Sequence, residues 1–208
     1  MKKLIVLLIS ITAFSFALSA RPEIWSAIGL TSGRNYLSSE AKEEIASGYQ
    51  YQYKEGEKYY LNALGPELEV AFYPYDKIHL GIIGSASANF IINCTGRTGN
   101  FDRRRHGDMF WNINGGISYI QYMGSWGFFA DCLYSWRNYR VAETNPKNTK
   151  DPVDFTVFSE HGVLADLGLV VKSHNSYFKF GFAYNMPLSY KSNNGWSLDI
   201  FAKGGVVF

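Results

Sequence analysis

Ten charged residues form the chemically richest set in this sequence. Glu67, Glu69, Asp131, Glu160, Asp166 and Asp199 fall on the same face of extended segments as Arg137, Lys172, Lys179 and Lys203. Acids and bases gathered on one face either line a polar path for a small solute or neutralise one another as an ionic plug. Charges removed from water persist only when paired, which favours the plug. A second group is Ser159, Glu160 and His161. Acyl transfer by such a set needs a base within hydrogen-bond reach of the nucleophile and a third group to orient the base. In an extended chain Glu160 points away from its two neighbours, so Ser159 and His161 are expected to be interface residues. A third group is Arg103-Arg104-Arg105-His106, whose guanidinium forks suit phosphate or carboxylate groups on glycolipids or glycans. Tyr49, Tyr51 and Tyr53, followed by Tyr59 and Tyr60, offer amphipathic area of the kind used in recognition surfaces and interfacial belts. His79 and His174 lack metal-ligand partners at a known spacing, and no zinc, phosphate-loop or dinucleotide motif occurs. No metal or cofactor is expected.

Strands must position these residues. From about residue 22 onward, apolar residues alternate with small or polar ones in segments of roughly ten, the length of tilted strands crossing a bilayer. Strands are predicted near 22–31, 60–73, 78–92, 109–121, 126–139, 157–171, 177–190 and 196–208. Three connections are tight, at 74–77, 122–125 and 172–176. Those at 32–58, 93–107 and 140–155 are long and polar, and 191–195 is short but equally polar. The Tyr49–Tyr53 run reads as a strand above the membrane or as part of an extra hairpin.

The two faces differ in a way that fixes their surroundings. One is dense in Phe, Ile, Leu and Trp; the other is mostly Gly, Ala, Ser and Asn, with the charges above. A soluble barrel turns its polar face to water, and this one is too small in side chain for that. Small residues belong inside a narrow barrel and bulky ones against lipid. The prediction is an all-β, closed antiparallel transmembrane barrel of about eight strands. Trp25, Ile83, Phe129, Leu133, Leu164 and Phe201 also have inward parity, which keeps an apolar channel open as an alternative. Cys94 and Cys132 fall on non-adjacent strands, so no disulfide is expected. Arg137 and Glu160 stand at matching heights above the tight-turn ends of neighbouring strands, and a charge-assisted contact between them is expected.

The first residues address the compartment. Lys2 and Lys3 precede an apolar run from Leu4 to Leu18 that ends in Ser19-Ala20. This reads as a cleavable secretory signal at 1–20, leaving 21–208 as the barrel. Removing both lysines takes the net charge from +2 to zero, so no global bias toward nucleic acid is expected.

The ending Gly205-Val206-Val207-Phe208, with Ile200 and Leu198 before it, resembles the closing strand of outer-membrane barrel proteins. Gly204 departs from the bulky residue usual at that position. With the strand pattern, the resemblance covers residues 21–208 and is similar to the OmpW, OmpX and OmpA-domain barrels. It also resembles small spirochaete outer-membrane proteins of unassigned function. The resemblance implies residence in the bacterial outer membrane, with lipid as one partner and the barrel-assembly machinery, reading Phe208, as another. It further implies a monomer without enzymatic activity, whose loops meet an extracellular ligand in adhesion, interaction or envelope maintenance. An OmpW-like channel for small hydrophobic solutes is the alternative, and a lipid-modifying enzyme is third. Lipid-A deacylases resemble the Ser159-His161 pair superficially, but the order departs from their His-x-Ser arrangement.

Overall fold

A computed structural model describes residues 21–36, 60–75, 79–94, 109–142, 155–188 and 195–208. They form eight strands: β1 (Glu23–Tyr36), β2 (Tyr60–Tyr73), β3 (His79–Cys94), β4 (Met109–Met123), β5 (Trp126–Ala142), β6 (Phe155–Ser173), β7 (Ser176–Pro187) and β8 (Trp196–Val207). Each pairs antiparallel with the next, and β8 returns to β1, so the barrel is closed. The seam carries Ile24 N–H donating to the Phe208 carbonyl at 3.1 Å and Phe208 N–H donating to the Ile24 carbonyl at 2.9 Å. Phe208 thereby completes the ring of backbone hydrogen bonds.

Side chains alternate about this wall, with one register shift between β2 and β3 at Asn62 and Ala63. Outward residues are large and apolar, among them Ile28, Ile82, Phe182 and Leu167, each about three-fifths exposed. Inward residues are mostly buried and comprise small, polar and charged side chains together with a packed aromatic and aliphatic cluster. Water would penalise such an exterior heavily, whereas hydrocarbon accepts it. Rings cluster toward both ends of the outer wall, where side chains with an apolar body and a polar tip meet the membrane interface. Trp126 and Phe128 lie at the tight-turn end; Tyr36, Tyr60, Tyr184 and Trp196 lie at the other. No helix among the described residues is long and apolar enough to cross a membrane, which leaves the crossing to the strands.

Turn chemistry sets the polarity of the barrel. Gly124 takes a φ of 78° in the two-residue turn that joins β4 to β5, and His174 takes 50° between β6 and β7. Turns with positive φ match the twist of adjacent strands, and glycine adopts it without strain. Both turns share an end with Glu23 and Phe208, the end that faces the periplasm in outer-membrane barrels. Inside, glycine makes room for charge: a Cβ on Gly29 would lie 2.7 Å from Lys203 Cγ, and one on Gly33 would lie 2.5 Å from Asp199 Cγ.

Most strands match their expected positions. The exception is β1, which runs on to Tyr36 through Ser32, Gly33, Arg34 and Asn35, a stretch whose polarity reads as loop. Both neighbours hold it in register, with Arg34 opposite Asn62 on β2 and Leu198 on β8. A strand rising past the hydrocarbon tolerates polar residues on its outer face. Residues 1–20, Tyr49, Tyr51, Tyr53 and Arg103 to Arg105 lie outside the described residues.

Closed backbone pairing predicts a compact band on unheated detergent gels that disappears on boiling. Leu167→Arg, near mid-strand on the lipid face, should lower stability by about 2–4 kcal/mol in vesicle refolding titrations. An unshifted band, or an unchanged midpoint, would contradict the orientation of the two faces.

Candidate functional site: the charged barrel interior

The lumen is filled in three tiers. The middle tier holds two lysines and three acids on four strands. Lys179 on β7 donates to Glu69 Oε1 at 3.0 Å and Asp131 Oδ2 at 3.1 Å. Lys203 on β8 donates to Glu67 Oε1 at 2.7 Å and to Glu69 Oε2 at 2.8 Å. Glu69 therefore bridges both ammonium groups. Lys179 and Lys203 are register neighbours, and placing two cations side by side requires an anion between them. Each ammonium also stands 4.3 Å from a ring centroid, Lys179 over Phe129 and Lys203 over Phe201. Both lysines are at most 1% exposed. At such burial an ammonium is stable only because carboxylates and ring faces replace its water. Asp166, buried beside this tier, is the register partner of Asp131, and both keep one carboxyl oxygen without a hydrogen-bond partner.

The tier nearest the long loops is organised by Arg137. Its Nε donates to Asn112 Oδ1 at 3.0 Å, Nη1 donates to Asn35 Oδ1, and both Nη groups reach Ser197 Oγ at 3.2 Å. Asp199 Oδ2 lies 3.9 Å from Nη2, and the Phe110 ring centroid is 5.2 Å from the guanidinium carbon. Asn35 on β1 is directly across the ring from β5, so this one side chain spans the lumen. Arg137 and Glu160 are register partners on β5 and β6. Beyond that register pairing, the guanidinium reaches into the lumen toward β1, β4 and β8, because an extended arginine spans to the far wall.

At the tight-turn end, Glu23 collects its partners. Lys172 Nζ lies 2.7 Å from Oε1, Trp25 Nε1 donates to Oε2 at 2.8 Å, and His79 Nε2 is 3.4 Å from Oε2. Trp25 packs on Tyr177 with centroids 4.3 Å apart and on Tyr73 at 5.2 Å. Tyr73 Oη is 2.7 Å from Ser118 Oγ. Trp25, Ile83, Phe129, Leu133, Leu164 and Phe201 belong to one packed cluster that fills the space between tiers.

The remaining candidates lie on the outer wall. Ser159 Oγ accepts from Asn138 Nδ2 at 2.8 Å, and His161 Nδ1 is 2.5 Å from Tyr134 Oη. Each thus bonds across to β5. Cys132 is a free thiol on the lipid face. No group of three or more His, Cys, Asp and Glu able to hold a metal occurs among the described residues.

Parity found the charged set and placed Asn112, Ser197 and His79 on the same face, but it did not single out Asn35, Tyr139, Phe110 or Glu23. Asn35, Asn112, Ser197, Tyr139 and Phe110 surround Arg137, and Glu23 and His79 complete the lower tier. Their types are common on inward faces, and only closure of the ring brings them together.

A closed barrel of eight strands with an apolar outer wall and a side-chain-filled lumen defines the class: this is a small transmembrane β-barrel with the fold of bacterial outer-membrane proteins. Among solved structures, the chain is similar to the neisserial surface protein A, with 10% identity, coverage of 88% of this chain and 97% of that one, and a TM-score of 0.57. It is also similar to Ail, the attachment invasion locus protein of Yersinia pestis, solved in complex with the heparin analogue sucrose octasulfate. There the identity is 11%, coverage is 90% of this chain and 99% of that one, and the TM-score is 0.50. At such identities the likeness is one of fold. No protein-family model and no curated protein matches the chain.

Removing one member of the buried network should strand its partners. Lys179→Met is expected to lower stability by about 3–5 kcal/mol in urea titrations on vesicles. Asp166→Asn, which relieves two facing carboxyls, should cost nothing or stabilise. The reverse order would mean that Asp166, and not Lys179, holds the interior together.

Proposed function

We propose that this protein is a non-enzymatic outer-membrane barrel whose interior is an ionic plug and whose loops do its work in adhesion, interaction or envelope maintenance. The observation that carries the reading is the pair of fully buried lysines bridged by Glu69, with Arg137 spanning the lumen above them. A conducting pore needs groups that release their partners to a passing solute. Here every such cation is engaged by opposite or neighbouring walls.

The ligand class follows from chemistry and from a likeness of fold. The Arg103-Arg104-Arg105 run suits phosphate or sulfate by bidentate hydrogen bonding, and Ail has been solved with a sulfated saccharide analogue. An anionic extracellular saccharide is the partner we assign to the loops, with Tyr49, Tyr51 and Tyr53 as further contact area. Ser159 and His161 bonding separately to Asn138 and Tyr134 supports an interfacial rather than a catalytic role. Within the same reading, residues 1–20 are a cleaved export signal and residues 21–208 the mature barrel. It acts as a monomer, assembled through the terminal strand that ends in Phe208.

In planar bilayers the barrel should show no steady single-channel current. Exchanging Arg103, Arg104 and Arg105 together for glutamine should reduce retention on immobilised heparin by about tenfold or more, if two or more charge-assisted contacts are lost. Steady unitary currents would replace the plug with a channel, and unchanged retention would remove these arginines from the binding surface.

A further inference from the structure

Arg34 is a cation on the wrong side of the wall for a plug. It occupies an outward position of β1, between Ser32 and Tyr36, and its side chain is exposed. Its Nε donates to Asn62 Oδ1 on β2 at 3.1 Å, and its guanidinium carbon lies 4.1 Å from the Tyr60 ring centroid. Tyr36 packs on Tyr60 at 5.7 Å and stacks on Trp196 at 4.2 Å. The guanidinium is thus held at Nε by an amide and on one face by a ring, and among the described residues its terminal Nη groups make no hydrogen bond while the side chain stays exposed. Those groups match two oxygens of a phosphate in a fork geometry, and the side-chain freedom that binding would cost is already restricted.

The surroundings select the source of the phosphate. Leu198 lies beside Arg34 on β8, Leu64 and Ile200 lie one step below it opposite Ser32, and each is on the exposed apolar face. The rings of Tyr36, Trp196 and Tyr184 mark the level where acyl chains give way to headgroups. No described outward residue of β1, β2 or β8 is an aspartate or a glutamate. A ligand that fits has acyl chains along the three aliphatic residues and an anionic phosphate at ring level.

We propose that the outer rim of β1, β2 and β8 binds the phosphate headgroup of an outer-leaflet lipid, with Arg34 as its anchor and Asn62 and Tyr60 as positioning residues. The site fixes the vertical and rotational setting of the barrel in the outer leaflet. It depends on the membrane placement of the barrel and not on the plug or the loops, so conductance and heparin retention leave it untouched.

The test reconstitutes the full barrel in nanodiscs of phosphatidylcholine with a minority of phosphatidic acid and counts retained lipids by native mass spectrometry. The wild type should retain phosphatidic acid in preference to phosphatidylcholine. Arg34→Gln should reduce that preference about three- to tenfold, the scale of one charge-assisted fork. Asn62→Ala should give a smaller loss, and Arg140→Gln, a cation on the far side of the barrel, none. The heat-sensitive gel shift confirms folding of each variant; should Arg34→Gln not fold, Asn62→Ala and Arg34→Lys carry the comparison. Equal preference in wild type and Arg34→Gln, or equal loss in Arg140→Gln, overturns the proposal. So does displacement of bound phosphatidic acid by equimolar sucrose octasulfate, which would assign the same guanidinium to a soluble anionic saccharide.

Discussion

A backbone in hydrocarbon has no water to satisfy its amides, and the other features of this molecule follow from that. An open sheet would leave two edges of unpaired N–H and C=O groups, each costing several kcal/mol in lipid. The reciprocal bonds between Ile24 and Phe208 remove those edges by joining the last strand to the first. Closure at eight strands then fixes the lumen at a width that side chains fill. Width, in turn, dictates that whatever lies inside must be complementary, since water has little room to mediate.

Complementarity takes the form of alternating acids and bases whose pairing crosses strands distant in sequence. Lys179 and Glu69 are 110 residues apart, and Arg137 and Asn35 are 102 apart. Contacts of that range form only when the barrel is nearly complete, so the plug and the ring stabilise one another. Glycine contributes by absence: Gly29 and Gly33 leave the space that Lys203 and Asp199 occupy. Buried ion pairs are weak evidence for stability in general, because desolvation offsets attraction. Here Glu69, by serving two ammonium groups with two oxygens, satisfies both and reduces that penalty.

The outer wall obeys a different rule. Its middle is aliphatic and aromatic, and polar groups return only near the ends, where Tyr134 meets His161, Asn138 meets Ser159 and Arg34 meets Asn62. Each of these polar side chains is held by a neighbour on the adjacent strand. Near a headgroup layer, such pairing lets a polar side chain stand beside hydrocarbon without losing its hydrogen bonds.

Alternation with period two was enough to determine the number of strands, the faces of nearly every residue and the set of charges that share the lumen. That information is local, since successive side chains of any strand point to opposite sides. The turns at 124–125 and 174–175 were equally legible, because short polar connections and Gly124 mark them directly. The ring decided who meets whom. Arg137 and Glu160 stand opposite one another as their heights imply, and the guanidinium also reaches across to Asn35 and Ser197, partners that chain order does not name because it says nothing about the far wall. Arg34 and Asn35 illustrate the same limit from the other direction. Their polarity reads as loop, but pairing with β2 and β8 on both sides draws them into the wall, one facing the membrane rim and the other the lumen.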